Sequence, residues 1–356
     1  MALSATAHRL RGNFAESRNV LDEAAPRFPN DPLLATERGV LLLAEGKGAE
    51  AAQVWLTLLR THGLMLSTFV HATEWALRES DAGVASNLVD CVLEIPNAPV
   101  AFLRMALKLA ESLEPKGLPR AARLADLCIR LLAQTPGDSI ARLVLARAYG
   151  EQGENAKGLA ELALVRESMK DTPMSAEADR LTFSLREPEV AATLDAILRA
   201  AEEADVGDLD LVAARAHKIA FEYEIWTAHY ALGIAEKRKG RYATARRSFE
   251  AAIALSKGAV PAYVEAASVT LSLGEARAAL PLAERATVLD PEHALAWAYL
   301  ARARLALGER VLAREAIARA TALAPGNETL SALESRVLRA NESTFFSKVR
   351  ALFQRG

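Results

Sequence analysis

The stretch "RATVLDPEHALAWAYLARARLALGER", Arg285–Arg310, sets the architecture of the whole chain. It holds no constellation of acid, base and nucleophile; what it holds is order. Pro291 stops one helix, because proline has no amide hydrogen to donate and its ring clashes with the preceding turn. Apolar residues then recur at helical spacing at Leu295, Ala298, Tyr299, Ala301 and Leu305. Gly308 permits a tight reversal that a side chain would hinder. A second amphipathic stretch runs from Val311 to Leu323, and Pro325 stops it. The unit is therefore two helices, a turn, and a proline.

The same order recurs every 34 residues. Gly240, Gly274 and Gly308 share that interval, and so do Ala245, Ala279 and Ala313. Ala252, Ala286 and Ala320 form another column, and Leu255, Leu289 and Leu323 a fourth. Pro291 and Pro325 keep the spacing, with Lys257 in the first copy. Small residues fall where two helices must approach closely. At the other end of the chain Gly12 and Gly46 stand at the same interval.

These residues resemble tetratricopeptide repeats, a family of 34-residue helix–turn–helix units. The unit beginning at Val260 matches the family pattern with Tyr263, Gly274, Ala279, Ala286 and Pro291. The unit at Ala294 matches with Trp297, Leu300, Gly308, Ala313, Ala320 and Pro325. The unit at Trp226 matches with Leu232, Gly233, Gly240, Ala245, Phe249 and Ala252, but lacks the terminal proline. Degenerate copies are legible at 32–65 (Gly39, Gly46, Ala51, Trp55), at 139–172 (Leu145, Ala146, Tyr149, Gly153) and at 1–31 (Gly12, Leu21, Ala24, Pro29). Segments 66–98 and 99–137 keep a helix pair and lose most signature residues, with "LEPKGLPR" at 113–120 a longer connection than the family turn.

The resemblance implies an all-α fold: a right-handed superhelical solenoid of antiparallel helix pairs, roughly 20 helices in all. Four segments follow. Degenerate repeats occupy 1–172, an irregular helical connection 173–225, regular repeats 226–325, and capping helices 326–356. The connection reads as three helices, at 174–186, 189–204 and 208–223, which is one too many for a two-helix array. Two arrangements satisfy that count: a single irregular solenoid, or two lobes meeting near 173–188.

Composition bounds the function classes. Hydrophobic residues make up 51% of the 356 and aromatic residues only 6%, so the core is built from Ala, Leu and Val, which suits close helix packing. A formal net charge of -2 gives no global basic field for nucleic acid or anionic lipid. Cys91 and Cys128 sit among apolar neighbours, as buried free thiols do. The start lacks the apolar core of a signal peptide and no apolar run reaches the ~20 residues of a membrane span, so a cytoplasmic location is expected. No HExxH, CxxC, Walker A or GxSxG pattern occurs, and the six histidines lie singly. The expectation is a chain without catalytic residues, metal or cofactor.

What the resemblance implies instead is a scaffold or adaptor that captures a partner segment in a concave groove lined by the first helix of each pair. The family's inner-face positions fall here on Tyr230, Ile234, Lys237 and Arg238, on Val264 and Leu271, on Leu295 and Arg302, and on Leu143 and Arg147. That lining, apolar with scattered cations, predicts a protein or peptide partner with apolar and acidic groups, and no nucleic acid. The Lys, Asn and Arg set with which chaperone-binding members hold a terminal carboxylate is not matched, because Tyr230, Ile234, Glu265, Leu295 and Tyr299 occupy those positions. A charged run, "EKRKGRYATARR" at 236–247, reads as a solvated face or as a docking patch, unless the acidic "EEADVGDLD" at 202–210 neutralises it within the chain. The tail "NESTFFSKVRALFQRG" puts Phe345, Phe346, Val349, Leu352 and Phe353 on one helical face. It reads as a cap on the last repeat, ahead of a membrane-surface helix. The alternatives to a static scaffold are a regulatory sensor of a short peptide and a membrane-peripheral assembly factor that uses this helix.

Overall fold

The computed structural model describes residues 1–203, 205–335 and 337, and these form helices and turns with no β-strand. The chain divides into two compact units, Met1–Glu161 and Leu162–Gly356. The first holds α1 (Ala2–Leu10), α2 (Phe14–Ala24), α3 (Pro32–Ala44), α4 (Gly48–His62), α5 (Leu66–Glu79), α6 (Ala82–Leu93), α7 (Val100–Leu113), α8 (Leu118–Gln134) and α9 (Ser139–Glu151). The division falls within α10 (Asn155–Ser168). The second unit holds α11 (Pro173–Arg186), α12 (Pro188–Glu203), a 3-10 turn (Val206–Asp208), α13 (Leu209–Glu222), α14 (Trp226–Arg238) and α15 (Tyr242–Leu255). It continues with α16 (Val260–Ser272), α17 (Ala276–Leu289), α18 (Ala294–Ala306) and α19 (Arg310–Leu323), and residues 328–335 are again helical. The sequence-predicted tail helix at 343–356 lies outside the described residues.

The helices are arranged as antiparallel pairs, and each packs chiefly on its neighbours in sequence. First helices also touch first helices. In one unit α1, α3, α5 and α7 make a row; in the other α12, α14, α16 and α18 do. Turn chemistry produces the pairs. At Gly274 and Gly308 φ is +81° and +82°, a left-handed conformation that costs glycine nothing. The amide of each glycine bonds a carbonyl three residues back, Leu271 and Leu305. The next amide reaches five back, Glu275 to Thr270 and Glu309 to Arg304, the hydrogen-bond closure of a helix C-terminus. The same pair of bonds closes α1, α3, α9 and α14. The α5–α6 turn keeps the longer bond, from the Asp81 amide to the Ala76 carbonyl, although the left-handed residue there is Ser80.

Close packing explains two more signature residues. Gly39 lies against the indole of Trp55, so a β-carbon there would come within 2.2 Å of Nε1. Gly233 lies against the Phe249 ring in the same way, at 2.5 Å. In both cases the glycine is eighth in the first helix and the aromatic eighth in the second, and the aromatic is fully buried. The core of the first unit centres on Trp55, Phe69, Leu88, Phe102, Leu103 and Leu127. Cys91 and Cys128 belong to it, unpaired and buried, and burial pushes both thiols above their ordinary value. Outside the pairs α12/α13, α14/α15, α16/α17 and α18/α19 of the second unit, α11 at Pro173–Arg186 packs on α12.

Candidate functional site

Three helices of the row, α14, α16 and α18, carry most of the residues that the sequence marks as candidates. They gather eight of the ten sequence-predicted residues; Leu143 and Arg147 stand on α9, in the other unit. The eight differ in what they can offer. Leu295 is 43% exposed, near the start of α18. Two turns on, the Arg302 guanidinium lies 5.5 Å from the centroid of the Tyr299 ring. It has no carboxylate partner among the described residues. Leu271 is half-buried at the far end of α16. Tyr230 is also half-buried, edge-on to Trp226 at 6.2 Å and tilted against Phe249 at 5.8 Å. Burial pushes its hydroxyl far above the ordinary tyrosine range, so it stays neutral.

Ile234 and Val264 are buried. Val264 packs with Val260, Tyr263, Ala286 and Ala296, because α16 has neighbours on nearly every side. Lys237 is tied to Glu265, which joins α14 to α16. Arg238 is exposed as a residue, and its Nη1 donates to the Ala201 carbonyl at 3.0 Å, capping the end of α12. In the first unit Leu143 is buried, and the half-exposed Arg147 reaches Glu111 at 3.4 Å.

The charged run at 236–247 is neutralised within the chain. Lys239 and Arg241 share Asp210, from the acidic stretch, and Glu236. The hydrogen bond from Lys239 draws the Asp210 carboxyl below its ordinary range. Arg246 takes Glu275 at 2.6 Å and Glu250 at 3.6 Å. Arg247 is the cation of the run with no partner among the described residues. The run is thus mostly internal glue rather than a free cationic patch.

Sequence reading missed the arginines that close helices where glycine does not. Arg120 is buried and donates from Nε to the Ala110 carbonyl at 3.0 Å and from Nη2 to Glu111 at 3.1 Å. It satisfies the end of α7 across the long 113–120 connection. Arg130 does the same for the carbonyls of Leu93 and Ile95. The only sequence signal is an arginine inside an apolar helix face. A cleft of about 470 Å³ also went unforeseen; Phe183, Tyr223 and Trp226 line it with Glu187, Glu222 and Glu224, and α11 forms one wall.

Among the described residues no group of three or more His, Cys, Asp or Glu could hold a metal ion. No described helix is long and apolar enough to cross a membrane.

The tetratricopeptide repeat model matches residues 3–61 and 264–328. No curated protein matches the chain at a significant level. Among solved structures it is similar to the second TPR domain of the human RPAP3 protein, determined in complex with an HSP70 peptide. There the identity is 22% over 31% of this chain and 91% of that one, with a TM-score of 0.30. A MamA RS-1 ArsTM double mutant shares 20% identity over 39% and 88%, with a TM-score of 0.32. The APC/C hetero-tetramer Cut9–Hcn1 shares 11% over 92% and 59%, with a TM-score of 0.36. None superposes closely. Tetratricopeptide repeats generally mediate protein and peptide binding. With repeat matches near both ends, and glycine-closed turns and paired helices between, the chain carries tetratricopeptide repeats over part of its length.

Proposed function

We propose that the protein is a non-catalytic scaffold that captures a segment of a partner protein on the row of first helices in the Leu162–Gly356 unit. The observation that carries this reading is the end of the row at α18. Leu295 offers an exposed apolar anchor, and Arg302 a cation without a carboxylate partner, two helical turns apart on one face. Tyr230 and Leu271 extend the apolar surface, while the buried Ile234 and Val264 support it from beneath. The partner segment therefore combines apolar side chains with a carboxylate. Arg147 offers a second, weaker contact of the same kind in the other unit, beside the buried Leu143.

The test is co-purification with three surface variants. Leu295→Asp and Arg302→Glu are expected to lose a partner that the wild type retains. Val288→Asp alters a residue 68% exposed on α17, a second helix, and is expected to keep it. A partner lost equally from all three, or from none, contradicts the reading.

A further inference from the structure

The helix α11 and the turn that leads into it, residues 169–186, lie outside the regular pairs, yet they are fastened along the edge of those repeats at four points. Asp171 turns the chain with a left-handed φ of +58°, and Thr172 and Ser175 cap α11 reciprocally. The Asp171 carbonyl accepts from Arg285 Nη2 on α17 at 3.1 Å, across 114 residues of sequence. The Thr172 carbonyl rests on Gly258 in the α15–α16 turn, where a β-carbon would lie 1.8 Å from the oxygen. The Ala176 carbonyl accepts from Nε1 of the buried Trp226 at 3.2 Å. Asp179 hydrogen-bonds Ser256, which is buried, and pairs with Arg166 at 2.7 Å.

Gly258 shows that this contact is built into the sequence. Its φ lies outside the left-handed region, so the turn itself does not require glycine. One repeat later the equivalent position is Glu292, exposed to solvent. Glycine is needed at 258 because another segment's backbone occupies the space.

We infer that residues 169–186 are a strap that fixes the pair α14/α15 against the pair α16/α17. Repeat arrays hold together through contacts between adjacent units, and small rotations at each junction change their curvature. A segment fastened to α14, to the α15–α16 turn and to α17 removes the rotation at that junction. It makes the two pairs and α11 open together as one cooperative unit. The partner surface on α14 and α16 is then preset rather than moulded on binding. The strap does not depend on where the partner docks, since Leu295 and Arg302 lie on α18, beyond its contacts.

Hydrogen exchange on the full chain tests this. In Gly258→Ala the displaced Thr172 carbonyl is expected to raise exchange about tenfold in both 173–186 and 276–289. Arg285→Ala, which deletes one hydrogen bond and no backbone contact, is expected to raise it about fivefold in the same two segments. It serves alone if Gly258→Ala does not fold. Glu292→Ala, at the equivalent turn, is expected to leave both segments as in the wild type. Exchange that rises only beside the substituted residue, with α11 unchanged, overturns the strap.

Discussion

At Gly233 the backbone of α14 touches the ring of Phe249, and the rest of the helix pair is arranged around that contact. A methyl group there must push the ring aside. Gly233→Ala is expected to cost about 1–3 kcal/mol, the usual range for overpacking a filled core, as read by chemical denaturation. Ser80 is the opposite case. It holds a left-handed φ of +55° where its counterparts are glycine, so Ser80→Gly is expected to raise stability by about 1 kcal/mol. An unchanged or lower denaturation midpoint would show that its side chain compensates. Asp179 carries a pH signature. Burial pushes its carboxyl above the ordinary range, more than Arg166 and Ser256 pull it down. The folded state therefore holds this proton more tightly than the unfolded chain does. Stability rises as pH falls through the raised folded-state value, and is lost as pH climbs back. Relative to Asp179→Asn, the wild type is expected to gain stability between about pH 7 and about pH 4. A relative loss over that interval contradicts the assignment.

At the scale of elements, helix ends separate what was legible in sequence from what was not. Gly274 and Gly308 announce their turns because no other residue takes a left-handed φ without strain. Arg120 announces nothing: its role depends on lying beside the carbonyls of α7, which only the fold brings to it. Arg120→Ala is expected to cost about 2 kcal/mol, since it strips a charged donor from two carbonyls, and thermal or chemical unfolding measures it. The bounds of α11 were legible from Pro173 and Pro188, because a proline suits the first turn of a helix. The fastening of α11 was not. A lone glycine at 258, outside the repeat columns, is intelligible only once the Thr172 carbonyl is seen against it.

Across the whole molecule the fold was readable and the surface less so. A 34-residue period requires helix pairs stacked on their neighbours, whatever the exposed residues are. The inner-face positions inherited that register, so eight of ten fell on one row. Their availability did not follow from register. Ile234 and Val264 are buried because α14 and α16 have neighbours on both sides, whereas Leu295 is exposed near the start of the last regular first helix. Charge was also ambiguous one residue at a time. Sequence left Lys239 and Arg241 open to a solvated face, a docking patch or pairing with the acidic stretch, and Asp210 shows that it is the pairing. Capture of a partner segment on the first-helix row is open to direct test by site-specific photocrosslinking. A photoreactive residue placed in turn at 295, 271 and 288 is expected to capture the same partner from 295 and 271 and nothing from 288. Capture from 288 alone, or equally from all three, would contradict it.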